Sequence, residues 1–295
     1  MRKIIGLGIL TLLFGCGSKK QVVLQQPKPV TAVAAIVSDK PVQKENTVAR
    51  NADEGLEPNP GISSAENIRL LMQTGLNKNV DWAEAMHYDV RRPSFVIIHH
   101  TAQTSINQTI RTFQVPHSKV SAHYVIGRDG RVVQMLNDYL RAWHAGRSKW
   151  GSITDINSVS IGIELDNNGK EPFASAQIDA LMGLLDTLKA KYQIPYTNFI
   201  GHADIAPLRK DDPSTLFPWK QLADRGFGVW YDEKNLEPLP DNFNYIDALR
   251  IVGYDVTNLR GAIIAFKRKF IVVDTSATMT DYDKRILYNV YRRYY

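Results

Sequence analysis

The 295-residue sequence predicts an α/β fold, a mixed central sheet flanked by helices, followed by a small three-helix unit. Three observations predict it. Ser94 to Thr101 is a continuous apolar run ending on two histidines, as in a central strand buried on both faces. Ile178, Leu181, Leu184, Leu185 and Leu188 repeat at three and four residues, the period of a helix laid on a sheet. Segments of these two kinds alternate through the middle of the chain, which is the pattern of a layered sheet-and-helix domain.

The chain opens with Arg2 and Lys3 before an apolar run from Ile4 to Phe14, too short to cross a bilayer and laid out as a secretory signal. The only cysteine, Cys16, stands where the cleavage site is expected, so an internal disulfide is impossible and lipid attachment is the expected role. Residues 13–16 resemble the lipobox of bacterial lipoproteins, with Phe14 where a smaller residue is usual. Acyl chains on Cys16 would anchor the protein to a membrane, and the expected place is the outer membrane of a Gram-negative cell, facing the periplasm. Residues 17–62 are rich in Gln, Lys, Pro, Val, Ala and Asn without sustained periodicity, and read as a flexible tether. A net charge of +6 suits anionic wall or lipid surfaces, but no basic run is dense enough for nucleic acid.

Residues 63–232 are expected to form the main domain, with its core at 88–230. After the first strand, Ile106, Ile110 and Phe113 fall at helical spacing. Val125-Ile126 and Val132 to Met135 flank Arg128-Asp129-Gly130, a hairpin signal. Val159 to Leu165 reads as another strand, Ser175 as the cap of the long helix, and Phe199 to His202 as a short strand ending on a histidine. Residues 233–295 follow a proline-marked linker. In them Tyr245, Leu249 and Val252 precede a Gly253 stop, Leu259, Ile263, Phe266 and Phe270 form a stripe, and Thr280 with Asp283 caps a last helix.

Two strand ends thus carry histidines, and Asp212 follows His202 by ten residues. Two histidine nitrogens and one carboxylate can hold zinc in three of four tetrahedral positions, leaving the last open for chemistry. His99 and His100 are adjacent on a strand and point to opposite faces, so only one can join the cluster; spacing alone does not choose between them.

Five motifs in order carry a resemblance: FVIIHHTA from Phe95, SAHYVI from Ser121, AWHAG from Ala142, SIGIELDN from Ser160 and GHADIAPLRKDDPSTLFPW from Gly201. Together they resemble the second family of N-acetylmuramoyl-L-alanine amidases, which includes phage lysozyme-type amidases and is similar to the peptidoglycan recognition proteins. The resemblance runs from about Tyr88 to Trp230. It implies one zinc ion per chain held by His99, His202 and Asp212, Glu164 as general base, and Lys210 stabilising the oxyanion. It implies peptidoglycan and muropeptides as partners, cut between muramic acid, or its anhydro form, and L-alanine. His123, His144 and Trp143 lie in these motifs outside the ligand positions and are expected along the substrate groove. Ala122 stands where the phage-type branch has a catalytic tyrosine, and Ser214 where glycine is common. Leu249 to Phe270 resembles a peptidoglycan-binding three-helix module. A monomer is expected. The rival readings are a receptor that binds peptidoglycan without cutting it and a wall-tethering lipoprotein.

Overall fold

A computed structural model describes residues 92–294. The signal, Cys16, the tether and the first part of the expected main domain lie outside the described residues. Among the described residues no helix is long and apolar enough to cross a membrane.

The five strands are β1 (Phe95–His100), β2 (Tyr124–Ile126), β3 (Val132–Gln134), β4 (Ser160–Leu165) and β5 (Phe199–Gly201). They form one sheet in the order β3-β2-β4-β1-β5. β1 is parallel to β4 and β5, β2 is parallel to β4, and only the β2–β3 hairpin is antiparallel. The mixed sheet is therefore the expected one, with the apolar β1 at an interior position as its sequence requires. Seven helices are described: α1 (Ile106–Gln114), α2 (Ser175–Tyr192), α3 (His202–Ile205), α4 (Trp219–Asp224), α5 (Tyr245–Val252), α6 (Leu259–Phe270) and α7 (Asp281–Tyr291).

Two expected boundaries move. Ser175 is the first residue of α2 rather than its cap; the cap position is Ala174 in extended backbone, with no side-chain bond. β5 ends at Gly201, and His202 opens α3 because the Asp204 carboxylate accepts the Gly201 N–H at 2.8 Å and closes a helical turn there. The cap expected at Thr280 is present, and Ser105 supplies another. Ser105 Oγ accepts from Gln108 N at the start of α1, and Thr280 and Asp283 form a capping box at α7.

The period-two alternation of strands divides the core into two clusters. Val96 and Ile98 of β1, with Ile161, Ile163 and Leu165 of β4, pack on Ile178, Leu181, Leu185 and Leu188 of α2. On the opposite face, Phe95 and Ile97 share a cluster with Leu249, Phe266 and Leu287 of α5, α6 and α7. The register Phe95↔Ser160, Ile97↔Gly162, His99↔Glu164 sets these residues side by side on that second face. His99 and Glu164 are thus carried at the ends of their strands, on the side covered by the C-terminal helices.

Candidate active site

His99 is the last residue of β1 to point toward the C-terminal helices, and it is almost fully buried. His202 enters from the first turn of α3, and Asp212 from the loop after it, which is tied back by a 2.7 Å bond from Ala203 N to Asp212 O. His99 Nδ1, His202 Nδ1 and Asp212 Oδ2 stand 3.0 Å from one another in every pairing. Among the described residues they form the one group of His, Cys, Asp or Glu side chains able to hold a metal ion. Asp212 is buried whereas Asp211 is exposed, so only the second carboxylate of the pair reaches the cluster.

The choice between the adjacent histidines is decided by the pleat. His100 faces the other side, where its Nδ1 accepts the Ser214 N–H at 3.1 Å and its ring lies against Gly169. Glu164, the register partner of His99, places Oε1 4.0 Å from His99 Nδ1, while its Oε2 is buried with no hydrogen-bond partner.

The two carboxylates are driven apart by their surroundings. Burial raises Asp212, but its close contacts with the His202 and His99 ring nitrogens outweigh it and hold the carboxyl below the usual range. Burial first and the Asp212 charge second push Glu164 up to about 8, against a smaller pull from Lys210. His99 is lowered to about 4, mainly by burial and then by His202. The site therefore combines an ionised carboxylate at Asp212, a His99 imidazole kept neutral, and a Glu164 carboxyl of raised pKa.

A family model described as N-acetylmuramoyl-L-alanine amidase matches residues 89–215. The N-acetylmuramoyl-L-alanine amidase AmiD of Escherichia coli K12 is 36% identical over 211 residues, covering 61% of this chain and 75% of AmiD. The chain belongs to this amidase family. Two solved structures of such amidases have the same fold. E. coli AmiD in complex with anhydro-N-acetylmuramic acid-L-Ala-D-γ-Glu-L-Lys superposes with TM-score 0.62 at 32% identity, over 72% of this chain and 93% of that one. AmpDh3 of Pseudomonas aeruginosa, in complex with anhydromuramic pentapeptide, gives 0.61 at 27% identity, over 74% and 98%. The protein is thus an N-acetylmuramoyl-L-alanine amidase.

Within this amidase the remaining expected residues fall in different places. Lys210 is exposed on the loop just before Asp211 and Asp212. With Arg268 of α6 it lines a cavity of about 460 Å³, and neither cation has a bonding partner among the described residues. Trp143 presents 54% of its surface to solvent. His123 and His144 do not share that setting. His123 is fully buried, donating from Nε2 to Leu140 O at 2.9 Å and accepting Gly162 N–H on Nδ1 at 3.0 Å. His144 is also buried, with its Nδ1 3.1 Å from His99 Nε2. Both rings are buried beside the His99 cluster, and the loop before β4 holds His144 there: Asn157 Oδ1 accepts the backbone N–H of both His144 and Ala145.

Three residues near the site were given no role by the sequence, although Ser160 opens one of the motifs. Ser160 and Asn157 hold His144, and Arg268 comes from a helix nearly sixty residues beyond Lys210. Their roles depend on tertiary approach, which residue type and spacing do not encode.

Proposed function

We propose that this amidase uses one zinc ion, held by His99, His202 and Asp212, to hydrolyse the amide between N-acetylmuramic acid, or its anhydro form, and the L-alanine of the stem peptide. The carrying observation is the convergence of two imidazole nitrogens and one ionised carboxylate at 3.0 Å separations, with a carboxyl of raised pKa beside them. Tetrahedral zinc with ligands at about 2.0–2.1 Å separates its ligand atoms by about 3.3 Å, so the three need only spread slightly to fit. The donor set also suits zinc, with a fourth position left for reaction. Bound there, zinc would supply Lewis acidity toward water and the scissile carbonyl.

The chain's own groups do the rest. Glu164 Oε2, buried and unbonded, takes a proton from the attacking water and returns it to the leaving amine of L-alanine. Its upward shift matches that double duty, and a cation on the neighbouring ligands would draw it back toward neutrality. Lys210 brings a flexible ammonium to the oxygen that becomes negative as the carbonyl turns tetrahedral. Arg268, in the lining of the same cavity and without an ion-pair partner among the described residues, suits the carboxylates of a stem peptide. That AmiD and AmpDh3 are found with anhydromuramyl peptides supports the anhydro form as one substrate here.

We also propose that Cys16 carries lipid and places the amidase on the periplasmic face of an outer membrane. This rests on the lipobox-like residues 13–16. Metabolic palmitate labelling should mark the wild type and not Cys16→Ser; equal labelling would remove the anchor from that position.

The enzymatic reading is tested by mass spectrometry of products from purified sacculi and muropeptides, with and without a chelator. Free stem peptides beginning with L-alanine, abolished by chelation and restored by zinc, are expected. Intact substrate despite bound zinc would favour a receptor that binds without cutting.

A further inference from the structure

The starting point is Ser160, whose hydroxyl carries a single hydrogen. Its Oγ lies 2.7 Å from the carbonyl oxygen of Ile156, which can only accept, so the hydrogen goes there. Toward His144 Nε2, 3.1 Å away, the same oxygen can then only accept. His144 Nε2 must therefore carry a hydrogen. The ring is buried and its side-chain partners are an imidazole and a hydroxyl, with no carboxylate to balance a second proton, so it is neutral and its Nδ1 is a bare lone pair. Nδ1 stands 3.1 Å from His99 Nε2, and the hydrogen in that contact has to come from His99. In a neutral His99 this leaves Nδ1 without a hydrogen, and Nδ1 is the atom that faces His202 and Asp212.

We propose that His144 is a positioning residue that selects the tautomer of His99, so that Nδ1 is presented bare to the metal. The chain Ile156 O, Ser160 Oγ, His144, His99 passes one donor direction from a backbone carbonyl to the ligand atom. Metal-ligating histidines commonly donate their second N–H to a carbonyl or carboxylate, and His202 does so, its Nε2 lying 3.1 Å from Ala145 O. His99 instead meets another imidazole, a partner that could donate as well as accept, and Ser160 removes that ambiguity. The opposite arrangement is a real competitor. It would put a hydrogen on His99 Nδ1, where Asp212 Oδ2 at 3.0 Å could accept it, and would disable the ligand.

A second observation shows that the fold is built around this ring. Gly162 of β4 lies directly under His144: a Cβ at that position would come within 2.4 Å of the ring's Cγ. Glycine in a strand interior costs stability and marks a close approach, and here the close approach is the imidazole lying against the strand. Ser160, Gly162 and Glu164 are alternate residues on one face of β4. That one row thus orients the His144 ring, makes room for it and supplies the base beside His99.

The inference rests on the reading of His99 as a zinc ligand, and its test uses a measurement independent of turnover. In the full-length chain with ¹⁵N-labelled histidine, the ring shifts of metal-free His99 report its tautomer, and competition with a chelator reports zinc affinity. The wild type is expected to show the Nε2–H form. Ser160→Ala and His144→Phe should move His99 toward Nδ1–H and weaken zinc binding by about 10- to 100-fold. His144→Asn, which keeps an acceptor near the position of Nδ1, should restore both. An unchanged His99 tautomer in folded Ser160→Ala would overturn the proposal, as would loss of affinity that His144→Asn does not rescue, since that pattern belongs to ring packing alone. A wild type that binds no zinc at His99 would instead sink the metal reading while leaving the tautomer result interpretable.

Discussion

Glu164 and Asp212 are both carboxylates beside the same imidazole, and their neighbours assign them opposite tasks. Asp212 lies 3.0 Å from the Nδ1 atoms of two histidines, and its carboxyl is held below the usual range; Glu164 is enclosed, half unbonded and raised to about 8. Glu164→Gln should keep zinc affinity within a few-fold and lower kcat by about 10²- to 10⁴-fold, the usual worth of a general base. Asp212→Ala should lose bound zinc and turnover together. Zinc content by atomic absorption, measured beside kcat, separates the two, and a Glu164→Gln variant of full activity would remove that residue from the reaction. At this scale the sequence was informative where a motif fixed the residue. His99, His202 and Asp212 converge as the motifs implied, and His100 is turned away by the strand pleat. It was uninformative for His123 and His144, because a histidine in a motif reads alike whether it faces a groove or lies under it. Only the backbone path from Ala142 to Asn157, which carries His144 beneath β4, distinguishes the two.

Two polar clusters hold the elements that position the site. In the first, Asp138 accepts from Tyr124 of β2 at 2.6 Å, Tyr192 of α2 at 2.5 Å and Lys191 at 3.2 Å. Burial pushes the Asp138 carboxyl up, but these three bonds outweigh it and leave it below its ordinary value. A carboxyl lowered on folding adds stability that is fully present above its unfolded pKa of about 3.9 and is lost as pH falls through the lower folded value. The stability gap between wild type and Asp138→Asn should therefore stay level from pH 7 to about 5 and shrink below about pH 4. A gap constant down to pH 3 in urea titrations would assign the effect to packing. In the second cluster, Lys269 of α6 reaches Asp204 of α3 at 3.1 Å, lies 3.8 Å over the Trp219 ring, and is joined there by Tyr254, which donates to Asp204 at 2.9 Å. Both charged groups are buried, so Lys269→Met would strand the Asp204 anion, at a cost of about 3–5 kcal/mol. Because Asp204 also closes the turn that begins with His202, zinc affinity should fall with it. Denaturant midpoints read the first effect, and adding Asp204→Asn to Lys269→Met should recover much of the lost stability. Ser175 looked like a cap and is the first residue of its helix, whereas the capping box at Thr280 and the hairpin could be read from the sequence because their signals are local. This ion pair could not, since 65 residues separate partners that look like ordinary surface charges.

For the whole molecule the open matter is what the C-terminal helices are for. Their stripes of Leu249, Phe266 and Leu287 were plain in the sequence, but a stripe says only that a face is buried, not what covers it. In the structure those residues share one cluster with Phe95 and Ile97 of β1, Ile200 of β5, Ile205 of α3 and Val229. The contact is polar as well as apolar. Lys149 pairs with Asp255 at 2.9 Å, Gly151 N–H donates to Gly253 O at 2.6 Å, and the Trp150 ring lies so close over Gly253 that no side chain fits there. Gly253 also takes φ 128°, which other residues adopt only with strain, so the end of α5 is shaped for this docking. Chain termination after residue 232 would expose the second face of the sheet and leave Asp204 without Lys269 and Tyr254. The expected product is a chain that aggregates or melts well below the full protein, with its zinc affinity reduced because α3 is no longer held. If the shortened chain instead keeps the thermal midpoint and zinc affinity of the parent and loses only binding to sacculi, the helices are a separable wall-binding module. Loss of fold and wall binding together would show that one packed unit serves both, with the helices that cover the sheet also completing the cavity lined by Lys210 and Arg268.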